Sequence, residues 1–80
     1  MTSREKRLAR LRALPPTMAY FEVEAICRDR GWQLRRVRGS HFYWVTLTGQ
    51  VVEIVVHDKR VKRGYLRNML DAIGKEEAGE

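Results

Sequence analysis

The sequence predicts an α+β fold: a short basic helix, then an α-β-β-β-α domain in which helices cover one face of a three-stranded antiparallel sheet. Three observations carry this. Apolar residues recur at helical spacing in three stretches, at Leu8, Leu11 and Leu14, at Tyr20, Val23, Ile26 and Cys27, and at Leu66, Met69, Leu70 and Ile73. Between the second and third stretches the period drops to two, over Trp32 to Val37, His41 to Leu47 and Val51 to Val56. The length of 80 residues, 44% of them hydrophobic, supplies one core and no second domain.

From the N-terminus, Thr2 and Glu5 are spaced as a capping box that starts the first helix. Pro15-Pro16 ends it, because neither ring nitrogen donates a hydrogen bond and the residue before a proline is pushed away from helical angles. Residues 1–16 therefore form a basic extension with a proline hinge, and residues 17–74 form the domain proper. The second helix is expected from about Ala19 to Arg30, with Glu22, Glu24, Arg28 and Asp29 pointing away from its apolar face and Gly31 as its cap. In the first strand Trp32, Leu34 and Arg36 alternate with Gln33, Arg35 and Val37. Arg38-Gly39 makes a turn or bulge, and the second strand is rich in aromatic and β-branched residues. Alternation sends Phe42 and Trp44 to one face and His41 and Tyr43 to the other. Thr48-Gly49-Gln50 closes a hairpin onto the third strand, which is apolar on both faces except for Glu53. A basic loop, Asp58 to Arg63, leads into the last helix. Gly74 is its expected stop, which leaves residues 75–80 as a flexible tail.

Charge narrows the function. Sixteen basic residues against ten acidic ones give a net charge of +6 and an isoelectric point near 10.1, which fits a polyanionic partner. Residues 1–15, 28–38 and 58–67 each carry five basic residues and one acidic, so the positive charge is clustered. A chain this short has little sequence to spare for a deep cavity, and no small-molecule cofactor is expected. The single Cys27 forbids an internal disulfide and sits on an apolar helix face, as a small buried hydrophobe does. With one thiol, two histidines 16 positions apart and no paired-ligand spacing, no metal site is expected. No stretch approaches the roughly 18 apolar residues of a membrane helix, so a cytoplasmic protein with no membrane partner is expected.

Histidine is the side-chain type whose charge ordinarily changes near neutral pH, so acid–base chemistry is expected to fall to His41 and His57. His41 follows Arg38-Gly39-Ser40 directly. The glycine admits close backbone approach, Ser40 adds a hydroxyl, and Arg35, Arg36 and Arg38 add fixed positive charge, which together suit a phosphate. The same spacing also suits a histidine that merely tops a strand, hydrogen-bonded to a neighbour. Spacing alone leaves both readings open.

The run Gly31-Trp32-Gln33-Leu34-Arg35-Arg36-Val37-Arg38-Gly39-Ser40-His41, followed by Val55-Val56-His57 and Lys62-Arg63-Gly64-Tyr65-Leu66-Arg67-Asn68-Met69-Leu70, resembles the HicA-type toxins of bacterial toxin–antitoxin pairs. The likeness spans about Tyr20 to Gly74. It implies a double-stranded-RNA-binding-like fold, metal-independent endoribonuclease action on mRNA, and neutralisation by a HicB-type antitoxin. It also places the family's catalytic histidine at His41, as general acid or base, with Gly39 and Ser40 as its supporting turn. Arg35, Arg36, Arg38, Lys59 and Lys62 are then candidates to hold the RNA backbone. Tyr43, on His41's face, is a candidate to stack on bases. Two departures stand out: Ile54-Val55-Val56 lacks the proline that leads many members into their histidine, and the N-terminal extension is longer than in compact members. The alternative is a non-catalytic RNA-binding module with the same fold. A further one is a DNA-binding or protein-interaction adaptor that works through the basic N-terminal helix.

Overall fold

The sheet has five strands rather than three. The computed structural model describes residues 1–79, and its elements run α1 (Ser3–Arg12), β1 (Thr17–Ala19), α2 (Tyr20–Asp29), β2 (Gln33–Arg38), β3 (His41–Val45), β4 (Val51–His57), β5 (Arg60–Lys62) and α3 (Arg63–Glu77). The strand order is β1-β5-β4-β3-β2, with every neighbouring pair antiparallel. The meander read from the sequence is β2, β3 and β4. The two added strands are three residues each and come from stretches expected as linker and loop. Asp58 and Lys59 make the addition possible: both adopt left-handed angles, φ 50° and 62°, the combination of a two-residue turn that matches strand twist. That turn reverses the chain so that β5 pairs with both β4 and β1. The Tyr20 amide then donates to the Lys59 carbonyl at 2.9 Å, and the Arg63 amide to the Pro16 carbonyl at 3.0 Å.

The helices form where the sequence predicts, with one change of length. At the start of α1 the Glu5 amide donates to the Thr2 hydroxyl and the Thr2 amide to the Glu5 carboxylate, which completes the capping box. Gly31 follows α2 at φ 79°, the left-handed angle a helix end reserves for glycine. The last helix does not stop at Gly74 but runs on to Glu77. Glu76 explains the extension. Its carboxylate, only 9% exposed, accepts from the Trp32 indole at 3.0 Å, Arg30 Nε at 3.1 Å and the Leu47 amide at 3.1 Å. Three partners from outside the helix hold its final turn in place.

Packing puts α2 and α3 on one face of the sheet and leaves the other face open. Met18, Trp44, Val52, Ile54 and Val61 point inward from the strands and meet Val23, Ile26, Leu66, Met69 and Ile73 from these helices. Leu11 of α1, fully buried, closes the same cluster. Arg28 lies over the Trp44 ring at 5.3 Å, and Phe42 packs on Tyr20 with ring centres 4.7 Å apart. The Tyr20 hydroxyl and Trp44 Nε1 are buried and have no hydrogen-bond partner among the described residues.

Candidate nucleic-acid interface

The open face is built by alternation and by one irregularity. Residues His41, Tyr43 and Val45 of β3 and Val51, Glu53, Val55 and His57 of β4 point outward, opposite the buried Trp44, Val52 and Ile54. In β2 simple alternation would put Arg36 on the same side as Leu34, which faces the core opposite Trp44. A bulge intervenes. Pairing passes from Leu34 with Trp44 to Arg36 with Tyr43, so Arg35 is left out of the ladder and the faces exchange. Arg36 and Arg38 thereby join the outer face, beside Tyr43 and His41. Gly39, at φ 59°, takes the left-handed position of the two-residue turn between β2 and β3, and the Ser40 carbonyl accepts from the Val56 amide at 2.8 Å, tying that turn to β4.

His41 opens β3 with its side chain 48% exposed. Its Nδ1 lies 2.6 Å from Glu53 Oε2, and the Tyr43 hydroxyl donates to the same oxygen at 3.3 Å. The Tyr43 and His41 rings are near parallel, 17° apart in plane, with centres at 6.4 Å. Glu53 is the residue that sequence reasoning missed as part of the site. It appeared only as the one charged position of an apolar strand; counting back across the 46–50 hairpin pairs it with Tyr43 and places it diagonally from His41.

The other expected site residues are dispersed. Lys59 lies in the β4–β5 turn at the same end of the sheet as His41, whereas Lys62 lies at the far end of β5, paired with Thr17. His57 stands two residues beyond His41's cross-strand partner Val55, 3.5 Å from Asp58 and well exposed. Cys27 is fully buried in the core, and desolvation, reinforced by the negative charge of Glu24, pushes its thiol up to about 12. It is no partner for either histidine. Among the described residues no group of three or more His, Cys, Asp and Glu side chains is placed to hold a metal ion.

The three basic clusters divide into committed and uncommitted charge. Arg4 and Arg7 both reach Asp29, Arg10 reaches Glu22 and Arg12 reaches Glu77, so the arginines of α1 clamp that helix to α2 and α3. Arg28 pairs with Glu24 and Arg30 with Glu76, while Arg60 bonds to Thr17 and Arg63 to the Leu14 carbonyl. Arg35, Arg36, Arg38, Lys59 and Lys62 make no side-chain ion pair or hydrogen bond among the described residues. A cleft of about 480 Å³, lined in part by Leu8, Ile26, Leu47 and Glu76, lies between α1 and the ends of α2 and α3 and shares no residue with the His41 face.

Fold and face together define a small α+β protein whose antiparallel sheet is backed by helices on one side and open and cationic on the other. A family model described as HicA toxin of bacterial toxin-antitoxin matches residues 21–75, and the chain belongs to that family. It is thus the toxin of a toxin–antitoxin system, with a HicB-type antitoxin as the partner that the family implies. A comparison with curated proteins finds no match, and neither does one with solved structures. No helix among the described residues is long and apolar enough to cross a membrane.

Proposed function

We propose that this toxin is an endoribonuclease that cleaves mRNA on its open sheet face, with His41 as the acid–base group. The observation that carries the reading is a half-exposed imidazole beside a cluster of uncommitted cations. Arg38 is its direct cross-strand neighbour, Arg36 lies next along the same face, and the Gly39–Ser40 turn borders it. Phosphates attracted to Arg36 and Arg38 bring the RNA backbone to the ring. The RNA supplies its own nucleophile. The 2′-hydroxyl gives its proton to His41, O2′ bonds to the adjacent phosphorus, and the bond from phosphorus to O5′ breaks. The leaving O5′ takes a proton from water, and the imidazolium returns its proton to solvent. The products are a 2′,3′-cyclic phosphate and a 5′-hydroxyl. Arg36 and Arg38 stabilise the negative charge that builds on the phosphoryl oxygens. Lys59 extends the cationic track, and Tyr43 offers an aromatic face to a base.

Digestion of a long unstructured RNA by wild-type protein, His41→Ala and His57→Ala tests this. Loss of one acid–base group costs about 10²–10⁴-fold in rate, so His41→Ala is expected to lose at least a hundredfold while His57→Ala keeps most activity. A 2′-deoxy strand is expected to survive intact. Wild-type protein that binds RNA without cutting it would favour the non-catalytic binding module, and equal cutting by His41→Ala would move the chemistry elsewhere.

A further inference from the structure

We infer that Glu53 is a positioning residue: it locks His41 in the tautomer whose proton sits on Nδ1 and so leaves Nε2 as the nitrogen that exchanges a proton with RNA. The inference rests on the nuclease reading of His41 for its consequence but on geometry for its substance.

An ionised carboxylate has no proton to give, so at 2.6 Å the Nδ1 atom must be the donor and Glu53 Oε2 the acceptor. Among the described residues the opposite ring nitrogen, Nε2, makes no hydrogen bond. Tyr43 holds the carboxylate from a second side through its hydroxyl, at 3.3 Å to the same oxygen. Two outward residues of β3 therefore converge on one oxygen from β4, and the ladder fixes all three, because Tyr43 and Glu53 are direct cross-strand partners and His41 is the diagonal neighbour. A half-exposed side-chain pair of this kind adds little to stability, which is a poor reason to place a carboxylate there. It also stands on the face that the cations Arg36 and Arg38 occupy, where it repels phosphate. A surface made only to bind RNA is better without it. A surface that must aim an imidazole, and stabilise the imidazolium formed when Nε2 takes a proton, gains from it.

The two roles separate experimentally. The ¹⁵N spectrum of the neutral His41 ring is expected to show the Nδ1–H tautomer in the wild type and a shift towards Nε2–H in Glu53→Ala, with the backbone amide spectrum otherwise preserved. Glu53→Gln keeps an acceptor oxygen and is expected to keep the tautomer. By analogy with other residues that orient a catalytic histidine, kcat for RNA cleavage is expected to fall about tenfold to a hundredfold in Glu53→Ala. RNA affinity in the same variant is expected to hold or tighten, since a repulsive charge has gone. Glu53→Gln should retain more kcat than Glu53→Ala. A wild-type ring in the Nε2–H form, or a Glu53→Ala variant with undiminished kcat, overturns the inference. A protein that cuts no RNA, yet whose His41 tautomer still switches on Glu53→Ala, overturns the nuclease reading and leaves the Glu53–His41 coupling established.

Discussion

At Cys27, burial and charge act in the same direction. The thiol is fully enclosed between α2 and the sheet, and Glu24 stands one helical turn away, so both desolvation and negative charge oppose the thiolate and raise its titration to about 12. Tyr20 behaves alike. Its phenol is pushed up to about 12, first by burial and then by the same Glu24. Both groups are acids held protonated by the fold, so the folded chain keeps protons that the unfolded chain loses from about pH 9 upward. The sign follows: stability is unaffected by these groups below that point and declines as pH rises towards about 12. The urea midpoint is expected to fall between pH 8 and pH 10.5. Iodoacetamide at pH 8.5 should alkylate Cys27 in the unfolded chain and hardly at all in the folded one. Rapid alkylation of native protein would show that Cys27 is not enclosed as described.

At the β4–β5 turn the residues present depart from what the backbone there favours. Two non-glycine residues, Asp58 and Lys59, sit in the left-handed region, which costs roughly 1–2 kcal/mol per residue. Lys59→Gly removes one such cost and gives back about 0.4–1 kcal/mol through the larger entropy of the unfolded chain. The expected net gain is about 0.5–1 kcal/mol, which corresponds to a few degrees in Tm for a domain of this size. If Lys59 also contacts RNA, the same variant should bind RNA less tightly while melting higher; a variant that melts lower contradicts the turn geometry. The turn also marks the limit of what the sequence discloses about the fold. Three helices and the β2–β4 meander were legible because each repeats an apolar pattern over five residues or more. β1 and β5 were not, because three residues are too few to show alternation and no glycine signals their reversal. The final turn of α3 was hidden for a different reason. Lys75, Glu76 and Glu77 carry no apolar pattern, and what holds them helical is Glu76 reaching Trp32, 44 positions away.

Across the whole molecule, charge read along the chain and charge read in space give different surfaces. Three blocks of equal net charge suggest three equal contributions to polyanion binding, yet the arginines of residues 1–15 are occupied by Asp29, Glu22 and Glu77, from 12 to 65 positions distant. Linear sums cannot register such partners. The outer-face cluster was better hidden still: strict alternation aims Arg36 at the core, and only the bulge at Arg35 turns it and Arg38 towards His41. His41, the Gly39–Ser40 turn and the neighbouring arginines were legible as motif; Glu53 required the register. This division has a measurable consequence in salt. Each phosphate neutralised on a single strand releases counterions and adds about 0.7 to the slope of log affinity against log salt. Replacing Arg36 or Arg38 by Gln is therefore expected to reduce that slope by about 0.7 each and to weaken RNA binding at low salt. Arg10→Gln removes the same formal charge from a side chain already paired with Glu22, so it should leave the slope unchanged. Affinities measured from 50 to 200 mM salt for wild type and the three variants decide the matter. If Arg10→Gln flattens the slope as much as Arg38→Gln does, RNA responds to net charge rather than to the uncommitted arginines of the open face, and the assignment of that face as the RNA surface fails.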